Sequence, residues 1–293
     1  VQLIIKKSFI IFIVIIFLFP QNNSYSTLSA KTFDDYGLIS IMYHRFNESK
    51  YPSTNIELNI FKEQLKIIEN EGIKFIHPRK FKENLYENKK ERKILLTIDD
   101  GLLSFYQNAW PILKKKKIPF ILFVNTREVG AFNYMNWSQI LELHDADHVE
   151  IGNHSHSHEY LVDESPEIIK KDILRSIEIF NEKLGKNSKF FSYPFGEFSE
   201  EFKKIIKELG FEYAFGQHSG VIDETKDLWE LPRFPINEKY GELNRFKTLM
   251  KTLPLKYKKI INQDKYLSQS QNPPNVNIFF HENINNLKLI TCF

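Results

Sequence analysis

From Leu38 onward the chain alternates short apolar, β-rich runs with helix-like stretches of ten or more residues, and that alternation leaves few folds open. Strands are expected at residues 38–43, 75–76, 94–98, 119–125, 149–153, 190–195, 213–216 and 231–236. Helices are expected between them, over residues 61–72, 104–117, 137–144, 165–185 and 199–209. Phe61, Leu65 and Ile68 line one face of the first helix, which stops at Gly72. Ser165-Pro166-Glu167 opens the longest with an N-cap serine and a proline in the first turn, and Gly185 closes it. The pattern is that of parallel βαβ units, about seven strands in an α/β fold. A (β/α) barrel and an open doubly wound sheet both satisfy it. In either, polar residues at the carboxyl ends of the strands are the functional candidates.

Two strand ends carry chemistry. The run Ile94-Leu95-Leu96-Thr97-Ile98 ends in Asp99-Asp100-Gly101. Adjacent carboxylates repel, so a site holding both ionised needs a cation or gives them different partners. The strand at 149–153 runs into His154-Ser155-His156-Ser157-His158. If that segment turns helically, imidazoles at i and i+4 share a face, and with a carboxylate they form a set for a divalent ion that leaves positions open for water and substrate. Each motif alone has a plainer reading, a tight turn for the acidic pair and a histidine-rich surface loop for the other. Together, at strand ends of one domain, they favour the metal.

The amino-terminal residues have a different character. Lys6 and Lys7 precede an uncharged apolar run over residues 8–20, followed by a polar segment with Ser24 and Ser26 spaced as at a cleavage site. This is the layout of a secretory signal peptide over residues 1–26, with an uncleaved anchor as the alternative. Both imply export to a periplasmic, extracellular or cell-surface location, with no stable membrane span after cleavage. Without the two signal lysines the formal charge falls from +3 to +1, so no global basic field points to a nucleic-acid partner. The basic patch Lys114 to Lys117 sits where cations oppose the negative end of a helix dipole. The single cysteine, Cys292, cannot form an internal disulfide.

Beyond Tyr240 the alternation weakens. A helix around residues 243–253, a polar stretch at 262–274 and two β-like runs at 276–280 and 287–291 suggest a small appended region over 241–293, truncated after its last apolar run. The principal domain is expected over residues 27–240.

The T-I-D-D-G and H-S-H-S-H segments together resemble the first two motifs of the polysaccharide deacetylases, the NodB-homology or carbohydrate esterase family 4 enzymes. The resemblance spans residues 38–237. It implies a distorted (β/α) barrel, removal of acetyl groups from glycans, Asp99 as general base, and Asp100, His154 and His158 as ligands of one divalent ion, Zn²⁺ first. His156 has no ligand role in the family pattern. The third family motif, Arg-x-Pro-Tyr, stands here as Ser192-Tyr193-Pro194-Phe195, so the arginine that orients the base is missing while Phe195 keeps the backbone N–H for the oxyanion. This wording is similar to the subgroup acting on poly-β-1,6-N-acetylglucosamine. Arg233, at the end of a late strand, is a candidate to supply the missing charge from elsewhere, or else a surface ion pair. The proton donor is left open among His44, His218 and His281. Trp137, Tyr134 and Phe132 cluster in one strand-end loop and are candidates for stacking on sugars, whereas Trp110 belongs to the core.

The expectation from sequence is therefore an exported, metal-dependent N-deacetylase whose partner is an N-acetylglucosamine-containing polysaccharide. The rivals are a glycan-binding module on the same fold, favoured by the absent motif arginine and opposed by the retention of Asp99, and a small-molecule amidohydrolase. Oligomeric state is not readable.

Overall fold

The computed structural model describes residues 36–86, 90–261, 269–273 and 275–280. The signal-like segment, His281, Cys292 and the run at 287–291 lie outside the described residues.

Six parallel strands follow one another in space in the order in which the chain makes them: β1 (Leu38–Tyr43), β2 (Lys93–Ile98), β3 (Phe120–Val124), β4 (Val149–Asn153), β5 (Phe190–Ser192) and β6 (Tyr213–Phe215). Lys74–Phe75 adds a short parallel strand beside the start of β2, and Val221–Ile222 pairs antiparallel with β1 at the sheet edge. Helices α1 (Leu58–Asn70), α2 (Trp110–Lys116), α3 (Trp137–His144), α4 (Pro166–Leu184) and α5 (Glu200–Glu208) connect the strands. Residues 104–117 do not form one α-helix. Phe105–Ala109 is a π-helical turn, and Pro111, which has no N–H to give, sits in the first turn of α2.

The sheet curls into a distorted (β/α) barrel, and one late segment spans its two edges. Leu231 bridges Phe215 of β6 in parallel, and three residues on, Phe234–Pro235 pairs in parallel with Ile41 and Met42 of β1. The strand expected at 231–236 is thus a strap that touches both edges of the curl, with Pro232 and Arg233 between its two attachments.

Alternate strand residues face opposite sides, so the sheet separates two cores. Leu95, Ile121, Phe123, Phe190, Tyr213 and Phe215 cluster inside the curl. Ile94, Leu96, Ile98, Phe120 and Leu122 pack on the outer face against helices such as α1, which contributes Phe61, Leu65 and Ile68. A short helix that the sequence pattern did not reveal, Phe81–Tyr86, inserts Phe81 among the rings of Phe190, Tyr213 and Phe215 and so fills the amino-terminal end of the curl. The opposite end is left for polar groups. The inner row of β2 continues from Leu95 to Thr97 and Asp99, that of β4 from Gly152 to His154, and that of β5 from Phe190 to Ser192. A side chain at Gly152 would collide with the Phe123 ring at 2.3 Å, so glycine there lets the inner rows of β3 and β4 pack.

Past residue 240, helix α6 (Leu243–Leu249) buries Phe246 and Leu249, with Met250 just after it, in the same core as α1. Packing with the main body therefore continues beyond the expected start of the appended region. Lys259–Ile261 and Asn277–Phe279 form a separate two-stranded antiparallel pair.

Candidate active site

Asp99 is fully buried and lies in the interior of the barrel, where a lone carboxylate would be costly. Arg233, also fully buried, meets it with Nη1 donating to Oδ1 at 2.7 Å and Nη2 to Oδ2 at 2.8 Å. The remaining donors are used as well: Nε donates to the Gly216 carbonyl at 2.9 Å, Nη1 to Thr97 Oγ1 at 3.2 Å and Nη2 to Ser192 Oγ at 2.8 Å. The guanidinium carbon also lies 5.4 Å from the centre of the Phe123 ring. Arg233 is thus no surface ion pair. Ser192, which occupies the position of the family arginine, donates its hydroxyl to Asp99 Oδ2 at 3.2 Å. Three of the roughly four acceptor positions of the carboxylate are taken, and one is left for a further proton. Burial pushes the Asp99 carboxyl up, but Arg233 and His154 outweigh it and hold it below its ordinary value.

Asp100 takes a different course. It and Gly101 both adopt positive φ, 76° and 67°, so the chain leaves β2 through a tight left-handed turn that directs the second carboxylate away from the first. Its Oδ1 is buried and accepts no hydrogen bond, while His154 Nε2 stands 3.4 Å away and His158 Nε2 3.3 Å away. The ligand atoms of these three residues all lie within 4.8 Å of one another. His154 Nδ1 is 2.7 Å from the Ser192 carbonyl oxygen. A carbonyl can only accept, so Nδ1 carries a proton, and Nε2 is the ring atom turned toward Asp100. Burial raises the Asp100 carboxyl, and the two imidazoles more than offset it, holding it well below its ordinary value. An orphaned carboxylate oxygen facing two imidazole nitrogens is a donor set that fits a divalent cation.

The histidine segment is not helical. Ser155 and His158 have φ of 68° and 54°, and the ligands converge because the loop doubles back, which the i, i+4 spacing alone does not reveal. His156 points elsewhere, its Nδ1 2.8 Å from Thr126 Oγ1.

Phe195 follows Pro194 with φ 57°, is half exposed, and sets its ring 4.8 Å from that of His158 and 5.6 Å from that of Tyr160. The turn depends on Gly196, where a side chain would meet Gln217 at 2.4 Å. Of the three histidines left open as proton donor, His44 follows β1 directly, beside β2, and the Tyr43 carbonyl accepts the Asp99 N–H at 2.9 Å. Burial lowers the His44 imidazole, and the charges of Asp100, Asp99, Arg233 and His154 all act on it. His218 is exposed, with its ring 5.9 Å from that of Phe198, and His281 lies outside the described residues. In the aromatic loop Phe132 is 90% exposed, Tyr134 is half-buried, and Trp137 packs against the main core.

Residues that sequence reasoning did not single out include Thr97, whose place two residues before Asp99 on the inner row was a usable signal, and the hydroxyl of Ser192, which had none.

The barrel and this constellation are those of the polysaccharide deacetylase resemblance, and the family model of that description, polysaccharide deacetylase, matches residues 86–214. Over that segment the chain is similar to these hydrolases. Among named relatives it is 26% identical over 205 residues to a poly-beta-1,6-N-acetyl-D-glucosamine N-deacetylase of Staphylococcus epidermidis, covering 65% of this chain and 69% of that protein. It is likewise 26% identical over 218 residues to the protein of the same name from Staphylococcus aureus, covering 69% and 74%. Among solved structures, IcaB from Ammonifex degensii superposes with a TM-score of 0.68 at 25% identity, covering 75% of this chain and 99% of that one. Streptococcus pyogenes deacetylase PplD, in complex with acetate, shares the fold with a TM-score of 0.67 at 22% identity, covering 74% and 100%.

Proposed function

We propose that this polysaccharide deacetylase is an exported, metal-dependent hydrolase that removes N-acetyl groups from an N-acetylglucosamine polymer, with the β-1,6-linked polymer as first substrate. The observation that carries the reading is the buried Arg233–Asp99 pair beside the Asp100, His154 and His158 set. It gives the two adjacent carboxylates unequal roles and restores, from a different strand, the charge that the third motif lacks. A site that only bound a glycan would have no use for a second, arginine-held carboxylate, so the pair also weakens the binding-module reading. The named relatives support the substrate. Export rests on the signal-like layout of residues 1–26; no helix of the described residues is long and apolar enough to cross a membrane.

Asp100, His154 and His158 would hold the metal, and a divalent ion there supplies Lewis acidity toward an acetyl carbonyl and toward water. Asp99, kept ionised and oriented by Arg233, takes the proton of the attacking water as the new C–O bond forms. The Phe195 backbone N–H is assigned to the oxyanion. As the C–N bond breaks, the nitrogen leaves with a proton from His44, freeing the sugar amine and acetate. His44 is preferred to His218 because it follows β1 directly, next to the Tyr43 carbonyl that accepts the Asp99 N–H, whereas His218 is exposed.

The test is acetate release by zinc-loaded protein from β-1,6-linked N-acetylglucosamine oligomers, with chitin oligomers, peptidoglycan fragments and the monomer alongside. Release from the β-1,6 oligomers, lost in Asp99→Asn, is expected. No release from any polymer, with Asp99→Asn indistinguishable from wild type, would sink the proposal; release from the monomer alone would favour a small-molecule amidohydrolase.

A further inference from the structure

We infer that one face of α4, carrying Asp172 and Ser176, is the positioning element for the loop that holds His154 and His158, with Asp172 as its direct contact. The inference rests on the metal reading above and concerns what builds the ligand set. Between its two imidazoles the chain runs through left-handed φ at Ser155 and His158, a conformation that residues with side chains keep only where the surroundings over-determine it. Its backbone donors show what does so. Five consecutive N–H groups each donate to a side-chain oxygen. Ser155 N–H donates to Asn153 Oδ1 at 2.9 Å, and His158 N–H to Ser155 Oγ at 3.0 Å. Glu159 N–H donates to Ser157 Oγ at 3.2 Å. The middle two, His156 and Ser157, donate to the Asp172 carboxylate, at 2.8 Å to Oδ1 and 3.1 Å to Oδ2.

Of the four residues that accept these five bonds, Asp172 is the one that comes from outside the loop and its strand. One helical turn on, buried Ser176 donates to Asn153 Oδ1 at 3.0 Å and accepts from Asn153 Nδ2 at 2.9 Å, so the same face of α4 also fixes the side chain that receives Ser155. An ionised acceptor makes the stronger hydrogen bonds, and here one carboxylate bridges two neighbouring N–H groups at the centre of the turn. These contacts of Asp172 are to backbone atoms of His156 and Ser157, so it acts on the metal site through loop geometry. It is a positioning residue.

The experiment is zinc affinity of the full chain, measured by competition with a chromophoric chelator, together with the absorption spectrum of the cobalt-substituted protein. Asp172→Ala is expected to bind zinc 10–100-fold more weakly, with a changed cobalt ligand-field spectrum. Asp172→Asn, which keeps one acceptor oxygen, is expected to fall between, and it carries the test if the alanine variant does not fold. Glu178→Ala, on the same helix in an exposed pair with Arg175, should leave zinc affinity unchanged. Wild-type zinc affinity in both Asp172 variants overturns the inference, even if their melting temperatures fall, because Asp172 would then be a fold staple only. A wild-type chain that binds no zinc overturns the metal reading and this inference with it.

Discussion

Asp99 and Arg233, separated by 134 positions in the chain, face each other through paired hydrogen bonds of 2.7 and 2.8 Å in the interior of the barrel. Removing the guanidinium strands a buried carboxylate, which costs about 3–5 kcal/mol for a pair of this kind. Arg233→Met is therefore expected to lower unfolding free energy by roughly that amount in urea titrations. In folded protein it should lower kcat/KM for deacetylation about a hundredfold through misplacement of the base. Arg233→Lys should not restore it, because an ammonium cannot reproduce the two-pronged contact. Wild-type activity in either variant would remove Arg233 from the mechanism.

The unequal duties proposed for the adjacent aspartates predict a split between metal retention and turnover. His154→Ala deletes a proposed ligand and should lose zinc after loading and dialysis, read by atomic emission. Asp99→Asn leaves Asp100, His154 and His158 in place and should retain the metal while kcat falls by 10²–10⁴, the usual size of a general-base contribution. Metal loss in Asp99→Asn would mean that both carboxylates are ligands.

What the sequence made legible, and what it hid, divides by the range of the interaction concerned. The expected strand at 38–43 coincides with β1, and those at 94–98 and 149–153 agree with β2 and β4, because each is an apolar run set by local periodicity and bounded by turn residues. Asp99, Asp100, His154 and His158 were visible as strand-end chemistry for the same reason. Arg233 could be named but not placed. Its position depends on a strap whose attachments, at Leu231 and Phe234, lie on strands at opposite edges of the curl, and no local pattern encodes that closure. The helix Phe81–Tyr86 was hidden because six residues carry too little period. Asp172 was hidden because it serves a loop from another element, as an ordinary polar residue on a helix.

Glu142 offers a pH test away from the site. It receives Lys114 Nζ at 2.8 Å and Trp110 Nε1 at 3.0 Å on one oxygen and Tyr106 Oη on the other, joining α3 to α2, and these contacts hold its carboxyl at about 2 against an ordinary 4.5. A carboxyl lower in the folded than in the unfolded chain stabilises above the unfolded value, and that stability is lost as pH falls toward the folded one. The difference in urea stability between wild type and Glu142→Gln should be constant above pH about 4.5 and shrink from there to about 2. With the Glu142 side chain 38% exposed, solvent screening limits the titrating part to ~1 kcal/mol. A difference independent of pH would show that the contacts do not depend on charge.

The assignment of His44 as proton donor can be separated from a merely structural role by changing the leaving group. An amine leaves an amide only with a proton supplied, whereas a nitrophenol leaves an acetate ester as its anion without one. His44→Gln should therefore lower kcat on an N-acetylglucosamine oligomer by 10²–10⁴ and leave 4-nitrophenyl acetate hydrolysis within about a factor of three of wild type. Zinc affinity should not change, because His44 is outside the ligand set. His218→Gln, at an exposed position, should leave both substrates unaffected. Equal losses on amide and ester would show that His44 supports the architecture of the site, and a selective loss on the amide in His218→Gln would transfer the role to that residue.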